Sequence, residues 1–193
     1  MQNKRKRYFV VFIIILCIVA ILFGVFRIQD MVLKMIYPQK YAELVNQYAE
    51  ENDLDPLLVF AIIKAESNFD EDVVSNSGAV GLMQLMESTA QEMADDLTIE
   101  IPTKESLFDP ELNIQIGTYY FAYLLGIYEG NIYLALTAYN AGIGNVNTWI
   151  EEGTIREDGS DIENIPYKET NNYVRKIVRD YRIYQDLYER GGN

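Results

Sequence analysis

The stretch KAESNFDEDVVSNSGAVGLMQ, residues 64–84, decides how the fold of this chain is interpreted. It leaves the end of an apolar helical pattern, passes through a polar segment, and returns to apolar residues after two glycines. At about 100° per residue, Glu66 lies within about 20° of Val59 and about 40° of Ile62 around the helix. The pattern therefore predicts a carboxyl group on the helix face that packs against the core.

A carboxyl group in such surroundings is expected to have a raised pKa. Burial disfavours its charged form, and the partial negative charge at a helix C-terminus disfavours it further. A carboxylic acid that stays protonated near neutral pH can donate its proton to a leaving oxygen, as cleavage of a glycosidic bond requires. The alternative is that Glu66 bends out to water or pairs with Lys64. Periodicity alone leaves both interpretations open.

The chain beyond residue 40 reads as consecutive helices with short connections, and strand patterns are weak. Asp55-Pro56 and Asp109-Pro110 each combine an N-cap with a proline at the first helical position. Helices are predicted at about 41–50, 56–67, 88–96, 111–129, 131–140, 144–152 and 167–188, with a charged loop before the last one. The predicted fold class is mainly α.

The N-terminal segment has the features of a membrane anchor. Residues 8–26 form an apolar run without a charge, long enough to cross a hydrocarbon core of about 30 Å. Basic residues at 4–7 precede it, so the positive-inside rule predicts a single-pass plasma membrane protein with a cytoplasmic N-terminus. A cleaved secretory signal is the alternative, but the run is long and lacks a small-residue cleavage pattern. A lipid on Cys17 is disfavoured because the bulky Leu16 precedes it.

Composition excludes several function classes. The chain contains no histidine, which removes Ser-His-Asp and Cys-His catalysis and His-ligated metal sites. We expect neither a metal nor a cofactor. Cys17 is the only cysteine, so the part beyond the anchor has no disulfide. That part holds 29 acidic and 11 basic residues, an imbalance that repels nucleic acid and predicts no nucleic-acid partner.

Four motifs of the chain occur in a recognisable order. They are Glu66-Ser67, GAVGLMQLMESTA at 78–90, TAYNAG at 137–142 and IPYKETNNYV at 165–174. Together they resemble the soluble lytic transglycosylase (SLT) domain family, which has a lysozyme-like fold, over about residues 41–184. The expected organisation is a cytoplasmic basic segment and transmembrane anchor at 1–27, a short linker at 28–40, and an SLT-like domain at 41–190.

The resemblance also implies roles for individual residues. Glu66 matches the family's sole catalytic acid and base. The positions that match its substrate-binding residues are Ser75, Gln84, Met86, Tyr139, Asn140 and Tyr173. Among these, Gln84 is expected to offer its amide to a sugar N-acetyl or hydroxyl group. Glu71 and Glu87 stand where the family commonly has proline, which bears on loop rigidity and leaves the catalytic set intact.

The implied activity is cleavage of the β-1,4 bond between N-acetylmuramic acid and N-acetylglucosamine in peptidoglycan, with formation of 1,6-anhydro-N-acetylmuramic acid. The nearest alternative is a hydrolytic muramidase that uses a second carboxylate from Asp70, Glu71 or Asp72. A non-catalytic wall-binding scaffold and a protein that docks partners through its acidic surface are the others. The expected partners are peptidoglycan glycan strands and the membrane through residues 8–26, with an envelope-spanning machine as a further candidate.

Overall fold

The computed structural model describes residues 2–189, with side chains from position 7 onward except 10 and 11. Over that range it contains eight α-helices, two single-turn 3-10 segments and no strand, only isolated bridges. The helices are α1 (Gln2–Ile36), α2 (Ala42–Glu51), α3 (Pro56–Glu66), α4 (Glu87–Leu97), α5 (Pro110–Ile127), α6 (Ile132–Ala141), α7 (Ile143–Glu151) and α8 (Lys168–Tyr188). The chain divides into two compact units, one ending at Pro38 and the other beginning at Gln39.

The first unit is built on α1. Its stretch Arg7–Ile36 is long and apolar enough to cross a membrane and contains the predicted span. This assignment rests on length and composition alone, and the helix of a secretory signal would meet the same criteria. The helix continues to Ile36, so most of the predicted linker is helical, with an ion pair of 2.9 Å between Asp30 and Lys34 one turn apart.

The second unit is held together by the apolar helix α3. Its start is as predicted, since Asp55 accepts a hydrogen bond of 2.8 Å from the Leu57 backbone N–H and a proline follows at the first helical position. The six residues from Leu58 to Ile63 are all buried, which leaves little of α3 facing solvent. Helix α8 packs along it, and Phe60 of α3 stacks on Tyr184 of α8 with ring centroids 5.9 Å apart.

The loop between α3 and α4 is pinned to α5 by one buried amide. Asn113 is fully buried, and its Oδ1 accepts a hydrogen bond of 2.8 Å from the Met83 backbone N–H. Its Nδ2 donates to the carbonyl oxygens of Val80 at 3.0 Å and Leu107 at 2.8 Å. Gly81 lies against this amide with φ +77°, and an added Cβ would be 2.4 Å from Asn113 Nδ2. The close approach of loop and helix therefore requires a glycine at this position.

We expect Gly81→Ala to lower the free energy of unfolding by about 2–4 kcal/mol, because overlap with the Asn113 amide adds to an unfavourable positive φ. Gly78→Ala is the matched control, since Gly78 also has a positive φ but open space around its Cβ position. That control should lose only about 1–2 kcal/mol. Urea unfolding of the detergent-solubilised chain measures both, and equal losses would contradict the role given to the Asn113 contact.

Candidate active site

Glu66 is the last residue of α3 and meets α8 across the core. The Tyr173 hydroxyl donates a hydrogen bond of 2.5 Å to Glu66 Oε1, although the two residues lie 107 positions apart in the chain. Burial raises the pKa of Glu66 to about 7, against the lowering effects of the Tyr173 hydrogen bond and the Lys176 charge. The prediction of a raised pKa is confirmed, with burial as its main cause.

Lys64 is not the partner of this carboxyl group. Its Nζ lies 4.0 Å from Asp180 Oδ2 of α8, and Asp180 also accepts a hydrogen bond of 2.8 Å from Arg179. Within the part of the chain that the structure describes, the carboxyl group of Glu66 is instead held by Tyr173. The alternative in which Glu66 pairs with Lys64 is therefore wrong.

Tyr139 of α6 belongs to the same cluster as Glu66 and Tyr173. Its hydroxyl donates to the Met83 carbonyl oxygen at 2.8 Å, and its ring lies 5.3 Å from that of Tyr120. Burial raises the pKa values of Tyr139 and Tyr173 well above the ordinary value, and the nearby charge of Glu66 raises both further. Both phenols are therefore neutral and act on the site as dipoles.

Gln84 differs from the expectation in one respect. It has a left-handed backbone, with φ +50°. Its Nε2 donates to the carbonyl oxygens of Val73 at 3.0 Å and Gly81 at 2.9 Å. Both amide hydrogens are thus used inside the loop, so Gln84 offers a ligand its carbonyl oxygen as an acceptor.

The other predicted site residues lie in elements that flank this cluster. Ser75 holds a turn, since its Oγ accepts from the Ala79 backbone N–H at 3.0 Å and shares a hydrogen bond with Ser77. Met86 is exposed at the start of α4. Asn140 is exposed at the end of α6, and its Oδ1 accepts a hydrogen bond of 2.7 Å from Thr170 of α8. Among the described hydrogen bonds, none joins these three side chains to Glu66.

Two polar residues of the site escaped the sequence analysis. Lys176 of α8 donates a hydrogen bond of 3.0 Å to the Ala65 carbonyl oxygen, one residue before Glu66. Thr170, on the same helix, bonds Asn140. Each lies three residues from Tyr173 in the sequence. Helical spacing alone would therefore have placed both on the same face of α8 as Tyr173.

The two positions that depart from the family pattern have their own contacts. Glu71 accepts a hydrogen bond from the Tyr41 hydroxyl, which ties the polar loop to the start of the domain. Burial and that hydrogen bond raise the pKa of Tyr41 to about 12. Glu87 occupies the first turn of α4, where a negative charge favours the helix. At Glu71 the loop is therefore restrained by a side-chain hydrogen bond.

Two of the three loop carboxylates that follow Glu66 in sequence accept local hydrogen bonds. Asp70 accepts from the Asp72 backbone N–H at 3.1 Å, and Glu71 accepts from Tyr41. Of the residues the structure describes, the groups that shift the pKa of Glu66 are Tyr173 and Lys176, with no second carboxylate. No cluster of three metal-ligating side chains occurs over the same range. A surface groove of about 430 Å³, lined in part by Ile127, contains none of the predicted site residues.

Several known proteins are similar to this chain. The soluble lytic murein transglycosylase of Salmonella typhimurium is 35% identical over 144 residues, which are 74% of this chain and 22% of that protein. The membrane-bound lytic murein transglycosylase C of Edwardsiella ictaluri is 40% identical over 119 residues, 55% of this chain and 32% of that protein. The chain thus spans less than a third of either relative.

A solved structure confirms the mainly α, lysozyme-like fold. It is an inactive glutamate-to-glutamine mutant of the lytic transglycosylase Slt from Pseudomonas aeruginosa, 34% identical, with a TM-score of 0.73 over 80% of this chain and 25% of that one. The profile of the Transglycosylase SLT domain family matches residues 43–161. Because this match covers more than half of the chain, the chain belongs to the transglycosylase SLT domain family.

Proposed function

We propose that this protein is a membrane-anchored peptidoglycan lytic transglycosylase that cleaves the β-1,4 bond between N-acetylmuramic acid and N-acetylglucosamine and leaves 1,6-anhydro-N-acetylmuramic acid. The observation that carries the proposal is Glu66, a part-buried carboxyl group whose pKa burial raises to about 7, with no second carboxylate of the described residues among the groups that shift it. The relatives are named lytic murein transglycosylases, and the Pseudomonas structure is that of an inactive mutant with one glutamate exchanged for glutamine.

In the first step, protonated Glu66 gives its proton to the glycosidic oxygen, and the bond from that oxygen to the anomeric carbon breaks. The electron pair leaves with the oxygen. The acetamido oxygen of the substrate stabilises the cationic anomeric carbon. A pKa of about 7 leaves a large fraction of Glu66 protonated at neutral pH, so the acid is present when the substrate binds.

In the second step, the Glu66 carboxylate takes the proton of the C6 hydroxyl of the same sugar. The C6 oxygen attacks the anomeric carbon and closes the anhydro ring, which restores protonated Glu66. The proton that left in the first step is thereby replaced, and no water is consumed. One carboxyl group is sufficient because the nucleophile belongs to the substrate.

The surrounding residues orient Glu66 and the sugars. Tyr173 occupies Oε1 of Glu66, which leaves Oε2 for proton transfer. Tyr139 uses its hydroxyl on the Met83 carbonyl group and presents its ring as a wall. Gln84 accepts a hydrogen bond from an amide or hydroxyl group, and Asn140, whose Oδ1 is engaged by Thr170, donates through its Nδ2. Ser75 and the exposed Met86 complete the proposed binding cleft.

The loop contacts favour this mechanism over a hydrolytic muramidase. A muramidase needs a second carboxylate about 5–9.5 Å from the first, either as a nucleophile or as a base for water. Two of the three candidates already accept hydrogen bonds, Asp70 from the Asp72 backbone N–H and Glu71 from the Tyr41 hydroxyl. Of the described residues, no carboxylate is among the groups that shift the pKa of Glu66. A wall-binding scaffold without chemistry would have no need of a desolvated acid, whose burial is costly.

The proposed location is the plasma membrane, with one span, a cytoplasmic N-terminus and the catalytic domain outside. Residues 1–27 form the basic segment and the anchor, 28–40 the connection, and 41–190 the catalytic domain. Only residues 37–41 separate α1 from α2, which favours action on wall close to the membrane. The Edwardsiella relative is named as membrane-bound. An envelope-spanning machine is the candidate protein partner.

Glu66→Gln should lower the rate of wall cleavage by about 10²- to 10⁴-fold, because glutamine cannot exchange a proton. Digestion of purified sacculi, followed by mass spectrometry of the released muropeptides, measures the rate and identifies the product. Glu50→Gln removes an exposed carboxylate from α2 and serves as the matched control, with the parent rate expected. Reducing ends in place of anhydro ends would reject the transglycosylase reaction.

The same variant should be more stable than the parent at alkaline pH. The folded pKa of about 7 lies above the ordinary 4.5, so the stability contributed by the protonated form is complete below pH 4.5 and lost as the pH rises through 7. At pH 8 the free energy of unfolding of Glu66→Gln should exceed that of the parent by up to about 3 kcal/mol. Urea unfolding at pH 5 and pH 8 tests this, and a difference independent of pH would contradict it.

Membrane anchoring has a separate test. The full chain expressed in bacteria should remain in the pellet after alkaline carbonate extraction, because a spanning helix is not released by high pH. External protease added to spheroplasts should cleave the domain while an N-terminal tag stays protected. Recovery of the domain in the soluble fraction without residues 8–26 would instead indicate a cleaved signal.

A further inference from the structure

Helix α8 holds α3 by polar contacts at both ends of α3. At the start, the Tyr181 hydroxyl donates a hydrogen bond to Asp55, the N-cap residue. At the end, Tyr173 bonds the Glu66 carboxyl group, and Lys176 bonds the Ala65 carbonyl oxygen. Both ends of α3 are therefore fastened to α8.

The contact made by Lys176 differs from the others because it brings a full positive charge to the carbonyl end of α3. The last four carbonyl groups of a helix lack partners within the helix and carry a partial negative charge. The ammonium group of Lys176 lies 3.0 Å from one of them, the Ala65 carbonyl oxygen, directly before Glu66. A cation in this position caps the helix and acts on the carboxyl group beside it.

We propose that Lys176 is a positioning residue for Glu66: its hydrogen bond holds the last turn of α3 in place, and its charge stabilises the carboxylate that Glu66 becomes when its proton leaves. The inference rests on the proposed function. Lys176 lies outside the four sequence motifs and has no role assigned by the family resemblance. The stabilised species appears in the first step, when a cationic sugar forms beside it.

Among the residues that the structure describes, the other groups that act on Glu66 bring no comparable charge. From α8 comes Tyr173 and from α6 comes Tyr139, with Tyr120 of α5 behind it, all of them phenols whose pKa values are raised by burial. Lys64, on the same helix as Glu66, lies by Asp180.

The effect of Lys176 on Glu66 opposes the effect of burial. Its charge lowers the pKa of Glu66, while burial, the larger effect, raises it to about 7. Without Lys176 the acid would hold its proton more tightly, and donation to the glycosidic oxygen would be slower. The neighbouring Arg175 points elsewhere on the helix, since its Nε donates to Asn171 Oδ1 at 2.8 Å.

Three variants of the full chain in detergent separate charge from hydrogen bonding. Lys176→Met removes both, Lys176→Gln keeps an amide donor without the charge, and Lys176→Arg keeps the charge. Arg175→Met is the matched control, because it removes a positive charge from the adjacent position on α8. The titration midpoint of the Glu66 carboxyl carbon is followed by ¹³C NMR, with Glu66→Gln used to assign the signal. The pH profile of kcat for muropeptide release is measured in parallel.

Lys176→Met and Lys176→Gln should move the Glu66 midpoint and the alkaline limb of kcat upward by about one pH unit, the size expected for the loss of one nearby charge. At pH 7 kcat should fall by no more than about fivefold, because the weaker acid donates its proton more slowly while a larger fraction of Glu66 is protonated. Lys176→Arg and Arg175→Met should stay close to the parent. Should Lys176→Met fail to fold, Lys176→Gln still decides the point, because it retains a donor for the helix end.

An unmoved Glu66 midpoint in a folded Lys176→Gln chain would overturn the inference, even if kcat fell. Failure of the proposed function gives a different result. A shifted midpoint in a chain whose parent releases no anhydro muropeptides would support the coupling of Lys176 to Glu66 and reject the enzyme activity. Anhydro products from the parent together with an unshifted midpoint in Lys176→Gln would support the enzyme activity and reject the coupling of Lys176 to Glu66.

Discussion

The hydrogen bond from Tyr173 to Glu66 joins the end of α3 to α8, and the chemistry of the site depends on α8 lying where it does. A carboxyl group withdrawn from water is costly, and the apolar packing of the two helices offsets that cost. The buried face of α3 and the stack of Phe60 on Tyr184 supply the packing. Packing of the core therefore raises the pKa of Glu66, since burial is the main cause of the shift.

Local rules predicted the helices and the position of the acid. Asp55 and Asp109 cap α3 and α5 as their Asp-Pro pairs indicated, because an N-cap needs only the backbone N–H groups that follow it. Helical periodicity also placed Glu66 on a core-facing position. These features depend on residues within a few positions of one another, which a single sequence displays directly.

The long-range contacts could not be derived in this way. The bond between Tyr173 and Glu66 spans 107 residues, and the resemblance to a family, more than any pattern in the chain, brought the two together. Gln84 has a left-handed backbone and uses both amide hydrogens inside its own loop, and no local rule indicated either feature. The helical continuation of α1 to Ile36 replaced an expected linker, because its apolar residues also suit a helix.

The absence of histidine from the chain has a consequence for how the site can be observed. Histidine is the side chain whose ordinary pKa lies nearest neutrality, and here Glu66 takes that place. Ordinary carboxyl groups titrate at about pH 4, so the proton of Glu66 is exchanged in the range that histidine otherwise occupies. The difference in potentiometric proton uptake between the parent and Glu66→Gln at about pH 7 thus becomes a reporter of this acid, without any label.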